Sequence, residues 1–225
     1  NEHSWVPVSD RVGVPSVAVD LPGLGRSAPN PAPPGQWLTS VLGDAPQPLT
    51  LVAHSLGTAF AVDYAALHPE RVKSLLLVSP FFLQTRPSWL LRQSWFMQHV
   101  FRWAPRRWLA KPLEGPLNEA RADALNLLAN ASVSRHTARW LSWAGTERVR
   151  RDYRDRLSQL TVPITLLVGE HDPVQGTMPD GIELLKVRGA GHHPQLTHPE
   201  DVARAATQAL SRDRRSPADV GLAYT

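Results

Sequence analysis

Residues 51–80 read LVAHSLGTAFAVDYAALHPERVKSLLLVSP, and this stretch decides the fold. Leu49 to Ala53 is an apolar run of strand length without strict alternation, the pattern of a strand covered on both faces. His54, Ser55, Leu56 and Gly57 interrupt it. Thr58 to Leu67 then reads as a helix, rich in Ala, with Phe60 and Tyr64 four residues apart on one face, and His68-Pro69 ends it. Val72 to Val78 is a second apolar run. Strand, helix and strand in about thirty residues make the βαβ unit of a parallel sheet.

The same pattern extends in both directions. Upstream, Pro15 to Asp20 (PSVAVD) is predicted as a strand that feeds a tight loop at Pro22, Gly23 and Gly25. NPAPPG, residues 30–35, is a Pro-rich connection, and Gln36 to Leu42 is predicted as a short helix. Downstream, Pro163 to Val168 (PITLLV) and Ile182 to Val187 (IELLKV) read as strands. Pro199 to Leu210 reads as a helix, with Pro199 early and Glu200 and Asp201 in its first turn. Residues 81–160 differ. They hold Trp89, Trp95, Trp103, Trp108, Trp140 and Trp143, six of the eight Trp. Their periodic stretches, Trp89 to Val100, Asn118 to Leu128 and His136 to Trp143, are helical. The expected organisation is an α/β core from 1–80 and 161–211, a helical insertion over 81–160, and a polar tail at 212–225 that frays.

The chain has 225 residues with 24 Lys+Arg against 20 Asp+Glu, a net charge of +4, too modest to announce a nucleic-acid binder. It contains no Cys, which excludes disulfides, thiolate zinc sites and a Cys nucleophile. No run reaches the roughly 18 apolar residues of a membrane-spanning helix. NEHSWVPVSD lacks the basic and apolar regions of a signal peptide, and a cytoplasmic setting is expected. PGLGRS follows a predicted strand but is neither G-x-G-x-x-G nor a Walker loop, so no nucleotide cofactor is expected. His192 and His198 have no second ligand pair at a usual zinc spacing, and no metal is expected. Arg86 to Lys111 interleaves Arg with Trp and Phe and has no Asp or Glu. Membrane-surface contact, an anionic substrate and single-stranded nucleic acid are the functional readings. An amphipathic helix pair with a solvated Arg face is the plainer one and is preferred. Part of the aromatic set is assigned to an acyl or aromatic substrate pocket, with His54, Phe81, Trp89, Trp95, Trp140 and Trp143 as its candidate lining.

Three residues stand just past predicted strands. Ser55 lies between a strand and a helix, where a sharp turn exposes its hydroxyl and the helix N-terminus offers free N–H groups to developing negative charge. By itself a Ser there is more often a helix cap. Asp172 lies in GEHDPV, past the strand ending at Val168. His192 lies in GAGHHP, past the strand ending at Val187. A Ser hydroxyl needs a general base, and the base needs an acid to hold its tautomer. Glu170 and Asp180 rival Asp172, and His193 and His198 rival His192. Gly57 is read as permitting close approach of the helix to the strand.

VAVDLPGLGRS, LVAHSLGTAFAVDYAALHPERVKSLLLVSP, VPITLLVGEHDPV and GAGHHPQLTHPEDV, in this order, resemble the α/β-hydrolase family in its cap-bearing esterase, lipase and carbon–carbon-bond hydrolase branch. AHSLG departs from G-x-S-x-G at Ala53. The resemblance implies a mostly parallel sheet with a helical cap. It places the nucleophile at Ser55, the acid at Asp172, the base at His192 and an oxyanion N–H at Leu56. The family's strand ending in His-Gly, which supplies another oxyanion N–H, would precede the segment matching NEHSW, and this sequence begins after it. Two connections, residues 30–49 and 174–181, are short for the family. The implied activity is hydrolysis of a carboxylic ester or related acyl substrate. A non-catalytic homologue, a carbon–carbon-bond hydrolase and a lipid-surface binding module are the alternatives.

Overall fold

A computed structural model describes residues 2–46, 48–84, 135–172, 174 and 181–212. A 3-10 turn at Glu2–Trp5 leads into helix α1 (Val6–Val12), and α2 (Pro34–Leu42) follows a long irregular stretch. Then come strand β1 (Leu49–His54), helix α3 (Gly57–Leu67), strand β2 (Val72–Val78) and a 3-10 turn at Phe81–Leu83. Helices α4 (Arg135–Ala144) and α5 (Glu147–Gln159) precede strands β3 (Ile164–Gly169) and β4 (Glu183–Val187). The short α6 (Pro194–Thr197) and α7 (Pro199–Ser211) complete the order. The expected helices at Trp89–Val100 and Asn118–Leu128, together with Trp103, Trp108, Asp180 and residues 213–225, lie outside the described residues.

Among the described residues, four strands form one parallel sheet in the order β1-β2-β3-β4, with β1 and β4 outermost. Its two faces are both covered, as the unalternating apolar runs require. Along β2, Leu75 and Leu77 join Phe60, Tyr64, Phe82, Tyr153 and Leu166 in one core cluster. Leu76 and Val78 join Leu167, Val202 and Ala203 in the other. This is the period of two of a strand, read with apolar residues at every position. Helices α2, α3 and α5 lie on the first face; α1 and α7 lie on the second. Helix α2 crosses α3 at Gly35, where an added Cβ would stand 2.9 Å from the Asp63 carbonyl carbon.

The N-terminal end holds one corrected expectation and one unexpected element. Pro15 to Asp20 is not a strand, and Val17 is 88% exposed. A strand exists through its ladder, and among the described residues these six pair with no strand. The segment is held at its end instead. Buried Asp20 accepts hydrogen bonds from the Glu2 and Arg26 N–H groups at 2.7 and 2.8 Å. Gly25, at φ +53°, lies so near that carboxylate that an added Cβ would meet it at 2.1 Å. The unexpected element is α1, which the sequence pattern does not mark. Pro7 suits its first turn, Gly13 closes it at φ +72°, and Val8 is buried against α7.

The insertion between β2 and β3 ends in α4 and α5, and α5 is bolted to the core. The Tyr153 hydroxyl donates to Asp63 at 2.9 Å, and Arg156 donates to the other Asp63 oxygen at 2.7 Å. Arg154 donates to the Phe82 carbonyl at 2.8 Å, and buried Arg150 donates to the Gln84 carbonyl.

Candidate active site

Ser55 follows the last residue of β1 and takes φ +49°, a left-handed conformation unusual for a residue with a Cβ. Its N–H donates to the Val78 carbonyl at 3.0 Å, so the turn is fastened to the end of β2. Its Oγ stands 3.2 Å from His192 Nε2. The other ring nitrogen, Nδ1, lies 3.3 Å from one Asp172 oxygen and 3.4 Å from the other. The Asp172 side chain is fully buried. The structure thus brings the three sequence candidates together, with the His192 ring between hydroxyl and carboxylate. His193 and His198 do not occupy that place. His198 Nδ1 faces Thr197 Oγ1 at 2.9 Å. Glu170 is exposed and accepts the Gly189 N–H at 2.8 Å.

Burial alone would raise the Asp172 pKa. Hydrogen bonding and charge from His192, with a hydrogen bond from Gln84, outweigh it and hold the carboxyl below its usual range. Ser79 repeats at the end of β2 what Ser55 does at the end of β1. It takes φ +46°, and its N–H donates to the Leu167 carbonyl at 2.7 Å. Gln84 went unrecognised in the sequence. Its amide nitrogen donates to Asp172 Oδ1 at 3.3 Å and abuts His192 Nδ1. Only its place six residues beyond the end of β2 marks it, because nothing in the neighbouring sequence ties Gln84 to residues 172 and 192.

The loop bearing His192 leaves β4, at one edge of the sheet, and must reach Ser55 beyond β1, at the other. It crosses β3 at Gly169, where an added Cβ would stand 2.2 Å from the Gly191 carbonyl oxygen. The His171 N–H donates to the Ala190 carbonyl at 2.9 Å, and the Glu170 N–H to the Val187 carbonyl at 2.9 Å. Gly57, expected to permit a close approach, does not. A Cβ there would meet Leu21 only at an ordinary 3.9 Å.

His54, expected on the pocket rim, is partly buried and faces this loop. Its Nε2 lies 2.8 Å from the His192 carbonyl oxygen. Its ring stands 4.9 Å from that of His192 and 5.0 Å from that of His193. Burial, then the charge that His192 and His193 would carry, push its pKa well below the ordinary value, against the smaller pull of the carbonyl bond. Burial likewise, with His192 adding to it, takes His193 down to about 3. Phe81 is buried, edge-on to Phe82 and Tyr153. Trp140 and Trp143 are partly buried on the same cluster, 5.5 Å from Phe60 and 6.1 Å from Phe81 respectively. Trp89 and Trp95 lie outside the described residues. Among the described residues no group of three or more potential ligands is placed to hold a metal ion, and no helix is long and apolar enough to cross a membrane.

A family model described as alpha/beta hydrolase family matches residues 2–205. A pimeloyl-[acyl-carrier protein] methyl ester esterase of Chromobacterium violaceum is 27% identical over 216 residues, covering 85% of this chain and 82% of that protein. The protein of the same name from Edwardsiella ictaluri is 30% identical over 207 residues, covering 83% and 79%. Among solved structures, a bromoperoxidase from Bacillus anthracis superposes with a TM-score of 0.72 over 94% of this chain and 88% of that one. At 15% identity that likeness is one of fold.

Proposed function

The chain belongs to the alpha/beta hydrolase family, and on that premise we propose that it hydrolyses carboxylic esters with Ser55 as nucleophile, His192 as base and Asp172 as acid. The observation that carries this reading is the 3.2 Å approach of Ser55 Oγ to His192 Nε2 at the C-terminal end of β1. His192 takes the hydroxyl proton as Oγ attacks the ester carbonyl. Asp172 holds the Nδ1–H tautomer and balances the imidazolium that forms. The negative charge on the carbonyl oxygen falls at the start of α3, where the Leu56 N–H and the positive end of the helix dipole stabilise it. The tetrahedral species collapses, and His192 gives its proton to the departing alcohol. It then activates water to release the acyl group and restore Ser55.

A Ser at position 55 is an alcohol nucleophile; the carboxylate route of dehalogenases and epoxide hydrolases would need Asp there. The relatives named above are esterases of an acyl methyl ester, which supports an acyl ester of a small alcohol as the substrate class. An apolar acyl portion is proposed from the Trp-rich sequence of residues 81–160; Trp140 and Trp143 themselves pack on the core through Phe60 and Phe81. Residues 81–160 are proposed to serve as the cap over Ser55, with no nucleic-acid partner and no cofactor.

The test is fluorophosphonate labelling followed by peptide mapping, beside turnover of p-nitrophenyl butyrate. Label on Ser55 and turnover abolished by Ser55→Ala are expected. Label elsewhere, or turnover that survives Ser55→Ala, overturns the assignment. A diketone in the same panel separates ester from carbon–carbon-bond hydrolysis.

A further inference from the structure

Ser55 and His192 meet at 3.2 Å although they come from opposite edges of the sheet. Neighbouring strands lie about 4.8 Å apart, so β4 and β1 are separated by three such spacings, about 14 Å. Residues 188–192 bridge that width. Over β3 they are held by the Gly169 approach and by the His171 and Glu170 N–H bonds. Beyond β3, the bond between His54 Nε2 and the His192 carbonyl, 2.8 Å long, connects the loop directly to β1. It joins the residue before Ser55 to the backbone of the residue that Ser55 must face.

We propose that His54 is a positioning residue: its Nε2–H donates to the His192 carbonyl and so fixes the His192 ring against Ser55 Oγ. The proposal rests on the reading of Ser55 and His192 as nucleophile and base. A carbonyl oxygen can only accept, so the His54 proton sits on Nε2. The ring is kept uncharged by its burial and by the two neighbouring imidazoles, which suits a site where His192 must itself become positive. A charged His54 would oppose that step. The role needs one N–H donor at the Nε2 position and no titration of the ring.

The experiment compares His54→Phe, which keeps a ring and loses the donor, with His54→Gln, whose amide nitrogen falls near the Nε2 position. kcat and KM are measured on p-nitrophenyl butyrate, together with the unfolding midpoint and hydrogen exchange of the peptide 188–196. In His54→Phe we expect kcat to fall about 10- to 100-fold with KM changed less than about twofold, since small displacements of a reacting group cost that much. Exchange across 188–196 should quicken about tenfold. His54→Gln should recover most of both. A His54→Phe protein with wild-type kcat and exchange overturns the proposal while turnover abolished by Ser55→Ala leaves the ester-hydrolase reading standing. Equal losses in Phe and Gln variants, tracking a common drop in midpoint, also overturn it. Should the wild type neither turn over ester nor label at Ser55, the hydrolase reading fails. Exchange alone then decides the contact: faster in Phe and restored in Gln upholds it, and no difference refutes it.

Discussion

A Cβ placed on Gly169 would stand 2.2 Å from the carbonyl oxygen of Gly191 and 2.4 Å from that of Ala190. The end of β3 therefore touches the backbone of the His192 loop with no room for a side chain. Gly169→Ala must push that loop outward or strain it, and both contacts are backbone, which yields poorly. The expected result is a loss of about 1–3 kcal/mol in stability, the range for inserting a methyl group into a packed site. kcat should fall further than the midpoint alone explains, because the loop carries His192. Urea unfolding beside steady-state turnover checks this, and a Gly169→Ala protein with unchanged midpoint and kcat would contradict the geometry.

Ser55 carries a second, opposite relation between stability and activity. At φ +49° a residue with a Cβ is held in a conformation that costs about 1–2 kcal/mol. Ser55→Gly removes that strain along with the hydroxyl. It should be inactive yet more stable than Ser55→Ala by up to about 1 kcal/mol, which is what remains of the relieved strain after the chain entropy that Gly adds to the unfolded state. Thermal melts of the two inactive variants, side by side, measure the difference. A Gly variant less stable than the Ala variant would show that the turn is not strained.

The β1-α3-β2 unit was legible because a buried parallel strand writes itself as an unbroken apolar run, and Leu75 to Val78 feed both faces of the core. Asp172 and His192 were legible because each follows such a run. Pro15 to Asp20 carries the same apolar signal, but a strand also needs a ladder, and propensity cannot report whether a partner lies alongside. Helix α1 was missed because seven residues give less than two turns of periodicity. Gly57 and Gly169 look alike in the sequence. Which one faces another backbone depends on where residues 188–192 cross the sheet, a tertiary fact. Gln84 and the His54 contact with His192 are likewise products of the crossing.

The base of the insertion should depend on Asp63. Its carboxyl is pushed up by burial, while Tyr153 and Arg156 donate to its two oxygens and pull it back. Tyr153→Phe removes one donor without changing the ring that packs on Phe81 and Phe82. The expected loss is about 1–2 kcal/mol, the range for leaving a partly buried acceptor short of a bond. Asp63→Asn in the Tyr153→Phe background should cost less than Asp63→Asn alone, since the two residues share the interaction. A double-mutant cycle by urea unfolding measures that coupling, and strict additivity would exclude it.

The two uncharged histidines beside Ser55 set a pH dependence whose sign can be worked out. In the unfolded chain each titrates near 6.5, whereas in the fold His193 is held down to about 3 and His54 well below its usual value. Between 6.5 and 3 the unfolded chain binds a proton that folded His193 refuses, so falling pH favours unfolding. The stability is fully present above 6.5 and is lost as pH falls toward 3, with a limiting slope of about 1.4 kcal/mol per pH unit for each such histidine. Asp172 is also depressed, but from 3.8, so its contribution is lost only below about 3.8, beneath the range of the test. Urea midpoints taken between pH 7.5 and 4.5 should be level at the top of that range and fall below 6.5. Replacing His54 and His193 together by Phe should flatten the fall, since neither position then binds a proton in either state. Asp63, raised from 3.8, acts in the opposite direction in both proteins, so the comparison decides: a wild-type midpoint that falls no more steeply than that of the doubly replaced protein would mean that these rings accept protons in the folded protein, and the uncharged cluster would have to be abandoned.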